Sequence, residues 1–381
     1  MRQIGTTTMT ALKTFFSPTL VRRLAADLAR AHTGFDERAF IADACAGLNR
    51  LELLDRGRHI ATALASHLPP AYPEALDVLL RSLGAELPGD EIIGVGMAPF
   101  FYLPHSLFIA ERGLDHFALS MRAQRELTKR FSAEASIRPF IARHPEQTMA
   151  QLRVWATDPN PHVRRLVSEG TRLRLPWAPR VAWLDAHPDR VLALLELLKD
   201  DEASVVRRSV ANNLNDLGKV HPDLLFATCE TWLHGGSNRR RELVEHALRS
   251  AVKRGIPEAL QLLGYGRKAA IEITDVHMTP RRVPIGGRVS IAFVLRSRSR
   301  MPQDLLVDMV VHFVKANGRT APKVFKLKRV TVPARGRAEF SSSVSLAIHT
   351  TRKPRPGRHT VDVIVNGTAV PIGAFLLMPG R

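Results

Sequence analysis

The chain has 381 residues, 45% of them hydrophobic, which suggests two or three domains with ample cores. Its 2 cysteines, Cys45 and Cys229, stand far apart, which excludes a disulfide scaffold and a cysteine metal cluster and fits a reducing cytoplasm. A formal net charge of +19 attracts polyanions, nucleic acid before anionic membrane. Residues 1–14 lack the charged start and apolar core of a signal peptide. No apolar run approaches the length of about 18 residues that spans a bilayer. The charge is uneven. Residues 268–381 hold 20 Lys+Arg against 6 Asp+Glu, so +14 of the +19 lies there. A basic proteome would spread its excess uniformly, and this concentration argues against that bland explanation.

Residues 15–267 read as successive helices. Apolar residues recur at three- and four-residue spacing, as in Leu20-Val21-Leu24-Leu28 and Leu192-Leu194-Leu195-Leu198. Polar turns separate them at Leu68-Pro69-Pro70, Pro88-Gly89-Asp90, Asp158-Pro159-Asn160-Pro161 and Gly235-Gly236-Ser237-Asn238. An internal repeat is visible. Thr157-Asp158-Pro159-Asn160-Pro161-His162-Val163-Arg164-Arg165 matches Asp200-Asp201-Glu202-Ala203-Ser204-Val205-Val206-Arg207-Arg208 at an offset of 43, with a weaker echo at Arg240-Arg241-Glu242-Leu243-Val244. An Asp-rich turn followed by Val-Arg-Arg at this period is typical of HEAT-type arrays, in which neighbours stack and the second helices line a concave face.

After Gly264-Tyr265-Gly266 the period becomes two. Val289-Ile291-Phe293-Leu295 and Val307-Met309-Val311-Phe313 alternate with polar residues, and residues 324–332, 340–346 and 361–365 follow at short spacing. Asn317-Gly318, Arg335-Gly336 and Pro356-Gly357 mark expected hairpin turns. Six or seven strands here imply an immunoglobulin-like β-sandwich. The expected domains are thus a helical-repeat domain over 1–267 and a basic, DNA-contacting sandwich over 268–381.

Two polar motifs stand out. In the first, Arg165, Glu169 and Arg172 share one helical face, Arg172 and Arg174 lie near the end of the helix, Pro176 stops it, and a loop presents Trp177. An ordinary salt-bridged helix with a packing Trp would read the same way. In the second, Arg208, Asn212, Asn215 and Lys219 form a stripe with Asp216 at its edge. Asn is a poor helix former, so the run of Asn is not there for helix stability. Arg, Asn and Lys pointing one way suit phosphate contacts, and a helix C-cap is the alternative. Arg164, Arg165, Arg172 and Arg207 join this basic set as expected DNA contacts.

These motifs, with Phe15-Phe16-Ser17-Pro18-Thr19-Leu20-Val21, Ala61-Leu64-His67-Leu68-Pro69, Met97-Ala98-Pro99-Phe100-Phe101 and Ile137-Arg138-Pro139-Phe140-Ile141, resemble the AlkC branch of the DNA alkylation repair family. These are the HEAT-like-repeat alkylpurine DNA glycosylases. The resemblance runs over residues 11–267, and one subgroup of the branch carries the C-terminal sandwich. An aromatic is expected where Ser132-Ala133-Glu134-Ala135 has Ala135. The resemblance implies a right-handed helical stack and a monofunctional N-glycosyl hydrolase. Its substrates would be cationic alkylated bases, 3-methyladenine and 3-methylcytosine, in duplex DNA. The matching site residues are Glu134, Glu169, Trp177 and Asp216.

The chemistry fits those residue types. A base methylated at N3 is already cationic, so it departs without protonation and leaves an oxocarbenium-like sugar. A carboxylate such as Asp216 would stabilise that sugar and orient water, Glu134 and Glu169 would favour the cationic base, and Trp177 would offer a cation–π face. No cofactor or metal is expected. Nor is a lyase step, although Lys129, Lys199 and Lys219 lie in the region. Double-stranded DNA is the expected partner, with no membrane and no obligate protein, for a monomer acting in the cytoplasm at the nucleoid. Arg352, Lys353 and Arg355 of the basic domain are expected phosphate contacts. Two other classes stay open: a non-catalytic HEAT-repeat DNA-binding or scaffold protein, and a protein-interaction adaptor.

Overall fold

The computed structural model describes residues 13–87, 98–266, 269–348 and 353–379. The expected turn Pro88-Gly89-Asp90, Met97 and the phosphate contact Arg352 lie outside them. The chain divides into two compact units, 1–247 and 248–381.

The first unit is a body of helical repeats. Its helices are α1 (Pro18–Ala31), α2 (Glu37–Cys45), α3 (Leu53–His67), α4 (Tyr72–Arg81), α5 (Leu103–Arg112), α6 (Phe117–Thr128) and α7 (Ile137–Arg143). They continue as α8 (Pro145–Trp155), α9 (Pro161–Gly170), α10 (Ala182–Ala186), α11 (Pro188–Leu198), α12 (Ser204–Leu217), α13 (Pro222–Leu233) and α14 (Asn238–Lys253), within which the two units divide. The starts are written in the sequence. Ser17, Asp36 and Asn160 are N-caps whose side-chain oxygens accept backbone N–H groups, and Pro18, Pro145, Pro161, Pro188 and Pro222 open their helices. No helix among the described residues is long and apolar enough to cross a membrane.

The repeat has a physical basis in its aspartates. Asp158 Oδ1 accepts the N–H of Asn160, closing the turn before α9, while its Oδ2 accepts from Arg125 Nε of α6 at 2.6 Å. One repeat later, Asp201 Oδ1 accepts the N–H of Ala203 before α12, and Asp201 takes a two-pronged bond from Arg164 of α9, at 2.6 and 2.9 Å. Each aspartate thus caps its own turn and anchors the helix of the preceding repeat. The first arginine of each Val-Arg-Arg then returns to its turn. Arg164 Nη1 donates to the Asp158 carbonyl and Arg207 Nη1 to the Asp201 carbonyl. This corrects the expectation that Arg164 contacts phosphate, because its guanidinium is buried and fully engaged within the fold. Arg207 spends one nitrogen on the carbonyls of Asp201 and Glu202.

The second unit adds a short helix, α15 (Pro257–Leu262), to eight strands. These are β1 (Ile271–Thr279), β2 (Arg282–Pro284), β3 (Arg288–Ser297), β4 (Gln303–Val314), β5 (Thr320–Val332), β6 (Arg337–Ser345), β7 (Gly357–Val365) and β8 (Thr368–Met378). They form a sheet ordered β1-β3-β6 and another ordered β2-β8-β7-β4-β5, antiparallel except where β2 runs with β8. The cores lie on inward residues such as Ile291, Phe293, Leu295, Val307, Met309, Val311, Val363 and Phe375. Asn317-Gly318 is the hairpin turn between β4 and β5. Arg335-Gly336 and Pro356-Gly357 instead carry the chain from one sheet to the other, and the second tight turn is Asn366-Gly367 between β7 and β8. This unit begins before residue 268 because α15 belongs with the strands. A Cβ on Gly367 would come within 2.4 Å of Leu260 Cδ1.

Removing one partner of a buried ion pair leaves the other charge uncompensated. Arg164→Met should therefore lower stability by about 3 kcal/mol in urea unfolding, with strong coupling to Asp201→Asn in a double-mutant cycle. A loss below about 1 kcal/mol would put the pair in the class of surface bridges.

Candidate active site

Helix α9 sets the site. It was expected to run to Pro176, but it stops at Gly170. The cause is packing. A Cβ at Gly170 would lie 2.6 Å from Ile137 Cγ2 of α7, and the Thr171 hydroxyl turns back to the Val167 and Ser168 carbonyls. From α7, the fully buried Arg138 donates to the carbonyls of Gly170, Arg172 and Pro179 at 2.9–3.0 Å, bracketing the loop that follows α9. Burial dominates at Arg138 and lowers its pKa to about 10, with Asp185 opposing the shift and Arg172 adding to it. The sequence shows Arg138 only as part of a block; nothing in it marks this role.

The bracketed loop presents Trp177, which is 62% exposed with a left-handed backbone, φ +63°. Such a conformation costs about 1–3 kcal/mol in a bulky residue, and strained positions of this kind cluster at functional sites. Trp177 stands beside Phe100, ring centroids 6.5 Å apart, and Phe100 meets Phe131 edge-on at 5.5 Å. These rings line a cavity of about 200 Å³ whose wall also includes Glu134, Ala135 and Arg165.

From this cavity a line of charges of alternating sign runs inward. Glu134 Oε2 accepts from Ser132 Oγ at 2.9 Å and from Arg165 Nη2 at 3.0 Å. Arg165 lies 4.0 Å from Glu169, and Glu169 accepts from Arg172 Nη1 at 2.6 Å and from Ser209 Oγ at 2.5 Å. Arg172 spans to Asp216 Oδ2, with Nη2 at 2.7 Å and Nε at 2.8 Å, and Lys219 Nζ closes on Asp216 Oδ1 at 2.6 Å. Helices α9 and α12 are stitched beneath it by Asn213, whose amide donates to the Ser168 carbonyl and to Thr171 Oγ1. The structure thus brings Glu134, Glu169 and Asp216 into one network with Arg165, Arg172 and Lys219, with Trp177 at its outer end.

Arg165, Arg172 and Lys219, expected as DNA contacts, are each paired with a carboxylate within the protein, and the six charges of the network sum to zero. Burial works to raise the Glu169 pKa, but Arg165 and Arg172, with the Ser209 bond, outweigh it and hold the carboxyl below its ordinary value. Burial likewise opposes the charge on Arg172, and Glu169 and Asp216 overcome it, raising its pKa.

The remaining expected contacts divide. Asn215 is 3% exposed, facing the interior instead of forming a stripe, and Asn212 Oδ1 accepts from His246 Nε2 at 3.0 Å. Arg208 is exposed and pairs with no carboxylate among the described residues, and Lys353 and Arg355 are exposed. Lys129 pairs with Glu126, and Lys199 with Glu196. Among the described residues no group of three or more His, Cys, Asp or Glu is placed to hold a metal ion.

Residues 130–254, which hold every charge of the network, match the family model "DNA alkylation repair enzyme", and residues 272–379 match "Uncharacterised protein YhaZ, C-terminal Ig-like domain". The protein YhaZ of Bacillus subtilis is 32% identical over 360 residues, 94% of this chain and 97% of its own. The chain belongs to the DNA alkylation repair enzyme family. Among solved structures, the Pseudomonas fluorescens alkylpurine DNA glycosylase AlkC, bound to DNA containing an abasic site analog, superposes with a TM-score of 0.89. The two are 35% identical, and the match covers 96% of this chain and 99% of that one. The architecture shared with this family is a helical-repeat body followed by an Ig-like domain.

The depressed carboxyl of Glu169 has a consequence for acid stability. Its folded pKa lies below the unfolded value near 4.5, so its contribution is complete above that value and lost as pH falls through the folded pKa. Glu169→Gln should lower stability at neutral pH and flatten the slope of stability against pH below 4.5, read by denaturant melts across the acid range. An unchanged acid slope would remove Glu169 from the groups that drive acid unfolding.

Proposed function

We propose that the protein is a DNA glycosylase of base excision repair. It hydrolyses the N-glycosidic bond of cationic alkylated bases, 3-methyladenine and 3-methylcytosine, in duplex DNA and leaves an abasic site. The observation that carries this reading is the convergence of Glu134, Glu169 and Asp216 in one network that ends at the exposed, strained Trp177. Likeness to an alkylpurine DNA glycosylase over nearly the whole chain supports it. The body is read as a HEAT-type array over 1–267, with the Ig-like domain over 268–381 as an additional DNA contact. The protein acts as a monomer in the cytoplasm, at the nucleoid.

In the reaction the bond between C1′ and the base breaks, its electron pair leaving with the base and cancelling the positive charge there. Water supplies oxygen to C1′ and releases a proton to solvent. Trp177 offers its face to the cationic base before it departs. Asp216 opposes the charge that develops on the sugar. It is 1% exposed in the free protein, and one of its two cations is the loosely held Lys219, whose side chain is 42% exposed. A phosphate of bound DNA draws Lys219 outward, uncovering Asp216 Oδ1 on the side where the sugar lies. Backbone binding and exposure of the catalytic charge are then one event.

On this reading Asp216→Asn cuts release of 3-methyladenine by about 10²–10³-fold, the scale of one lost electrostatic stabiliser, while affinity for abasic-analog DNA holds or rises. Near-normal turnover in that variant would sink the assignment. The exposed cations of the second unit are proposed as phosphate contacts. Charge reversal at Lys353 and Arg355 should weaken duplex binding and flatten its dependence on salt by about one to two units of log–log slope. Equal slopes for variant and parent would leave the charge of that domain with a solubilising role.

A further inference from the structure

Within the second unit, the seam between the two sheets is open at one place. The chain leaves the first sheet at Thr279 and joins the second at Arg282, and beside that crossing lies a cavity of about 560 Å³. Its floor is apolar, built from Val276 and Met278 of β1 and Ile372 and Phe375 of β8. Its rim carries Arg281, Arg282 and Arg358, all exposed and none paired with a carboxylate among the described residues. Arg282 and Arg358 lie opposite Leu376 on its two sides, so both stand on the outer face of the sheet in one row across three strands.

One wall of the cavity is an open strand edge. The Leu376 N–H donates to the Arg281 carbonyl at 2.8 Å, away from β7. Residues two apart on a strand present their backbone groups to the same side, so the N–H and C=O of Ala374 also turn away from β7. There β2 gives them no partner, because it pairs only with Leu376, Leu377 and Met378, and no other strand among the described residues pairs with that side of β8. Gly373 adds nothing to the floor, where a Cβ would crowd Met278 Cε at 3.1 Å. Such an edge is a template for a further strand.

We propose that this edge receives an extended acidic segment of a partner protein, added as a strand beside β8. The inference is independent of the glycosylase reading. Alternate residues of an added strand face opposite ways. Those opposite Gly373 and Phe375 enter the apolar floor, and the one opposite Ala374 faces outward, within reach of the three arginines. The segment therefore alternates apolar and acidic residues. Backbone bonds to Ala374 supply affinity, and the floor and the arginines supply specificity. Charge decides the occupant. Unpaired arginines repel a basic strand, and a net charge of +19 disfavours a second copy of this chain. A DNA duplex offers phosphates to the rim but no backbone amide to the edge.

The test uses the full chain and a fluorescein-labelled peptide of eight residues, glutamate and valine in alternation, read by anisotropy. One control has the same composition in two blocks, and another has lysine in place of glutamate. The alternating acidic peptide should bind the parent at least about tenfold more tightly than either control. Ala374→Pro removes the edge N–H alone, a change that an open edge tolerates, and should weaken binding by about tenfold or more. N-methylation of the peptide amides should do the same from the other side of the pairing, and it serves if the Pro variant melts early. Arg282→Glu together with Arg358→Glu should abolish the preference for glutamate over lysine. Equal binding of the alternating and blocked peptides overturns the inference. So does equal binding by parent and Ala374→Pro, or of methylated and unmethylated peptide. A duplex whose affinity falls in the arginine pair, with no peptide preference in the parent, assigns the cavity to phosphate and overturns it. A stable dimer of the parent that Ala374→Pro dissolves assigns the edge to a second copy and overturns it as well.

Discussion

Arg172 holds two buried carboxylates at once, and the rest of the site depends on that bridge. Glu169 comes from the end of α9 and Asp216 from the end of α12, so a single guanidinium ties the two central helices together. Without it, two acids would face each other in a poorly hydrated space, and one would take up a proton. Because Arg172 lies just past the end of α9, its position depends in turn on where that helix stops. The close approach of Gly170 to Ile137 decides that, and Arg138 fixes the loop beyond by occupying three of its carbonyls. The order of dependence runs from a glycine that permits contact, through a buried arginine, to the two buried carboxylates.

The same logic organises the repeats. Asp158 and Asp201 cap their own turns and also grip an arginine of the preceding repeat. Local helix initiation and the stacking of neighbours therefore rely on the same carboxylate, and neither can be satisfied in a misaligned pair. This is why an Asp turn and Val-Arg-Arg recur together in the sequence at an offset of 43.

Much of this was legible before any coordinates. The repeat, the change from helical to alternating period, and most strands followed from spacing alone, because burial on one face imposes a period on the chain. The site acids and Trp177 came from resemblance, and their convergence could not be read from spacing because they lie on separate repeats. The internal partners of the arginines were not legible. Composition shows that a cation is present but not which anion it will meet, so Arg164, Arg165 and Arg172 looked like a phosphate-binding face. The fold gives each an internal carboxylate. Asn213 escaped for a related reason: within a run of Asn, only tertiary packing distinguishes the residue that turns inward to bond Ser168 and Thr171. Residues such as β1 and β8, with weaker alternation, merged into the background, and the crossing at Arg335-Gly336 looked like any other turn.

The neutrality of the six-charge network shapes how a polyanion meets the protein. A cluster with no net charge has a field that fades much faster with distance than that of a lone acid. An approaching duplex feels the basic surface from about a Debye length away, roughly 8–10 Å, and the internal acids hardly at all. Only at contact, where one sugar lies nearer to a carboxylate than to its arginine, does the alternation in sign become perceptible. On the proposed function, the protein thus keeps three acids at the heart of a DNA-facing site without repelling the duplex that enters it.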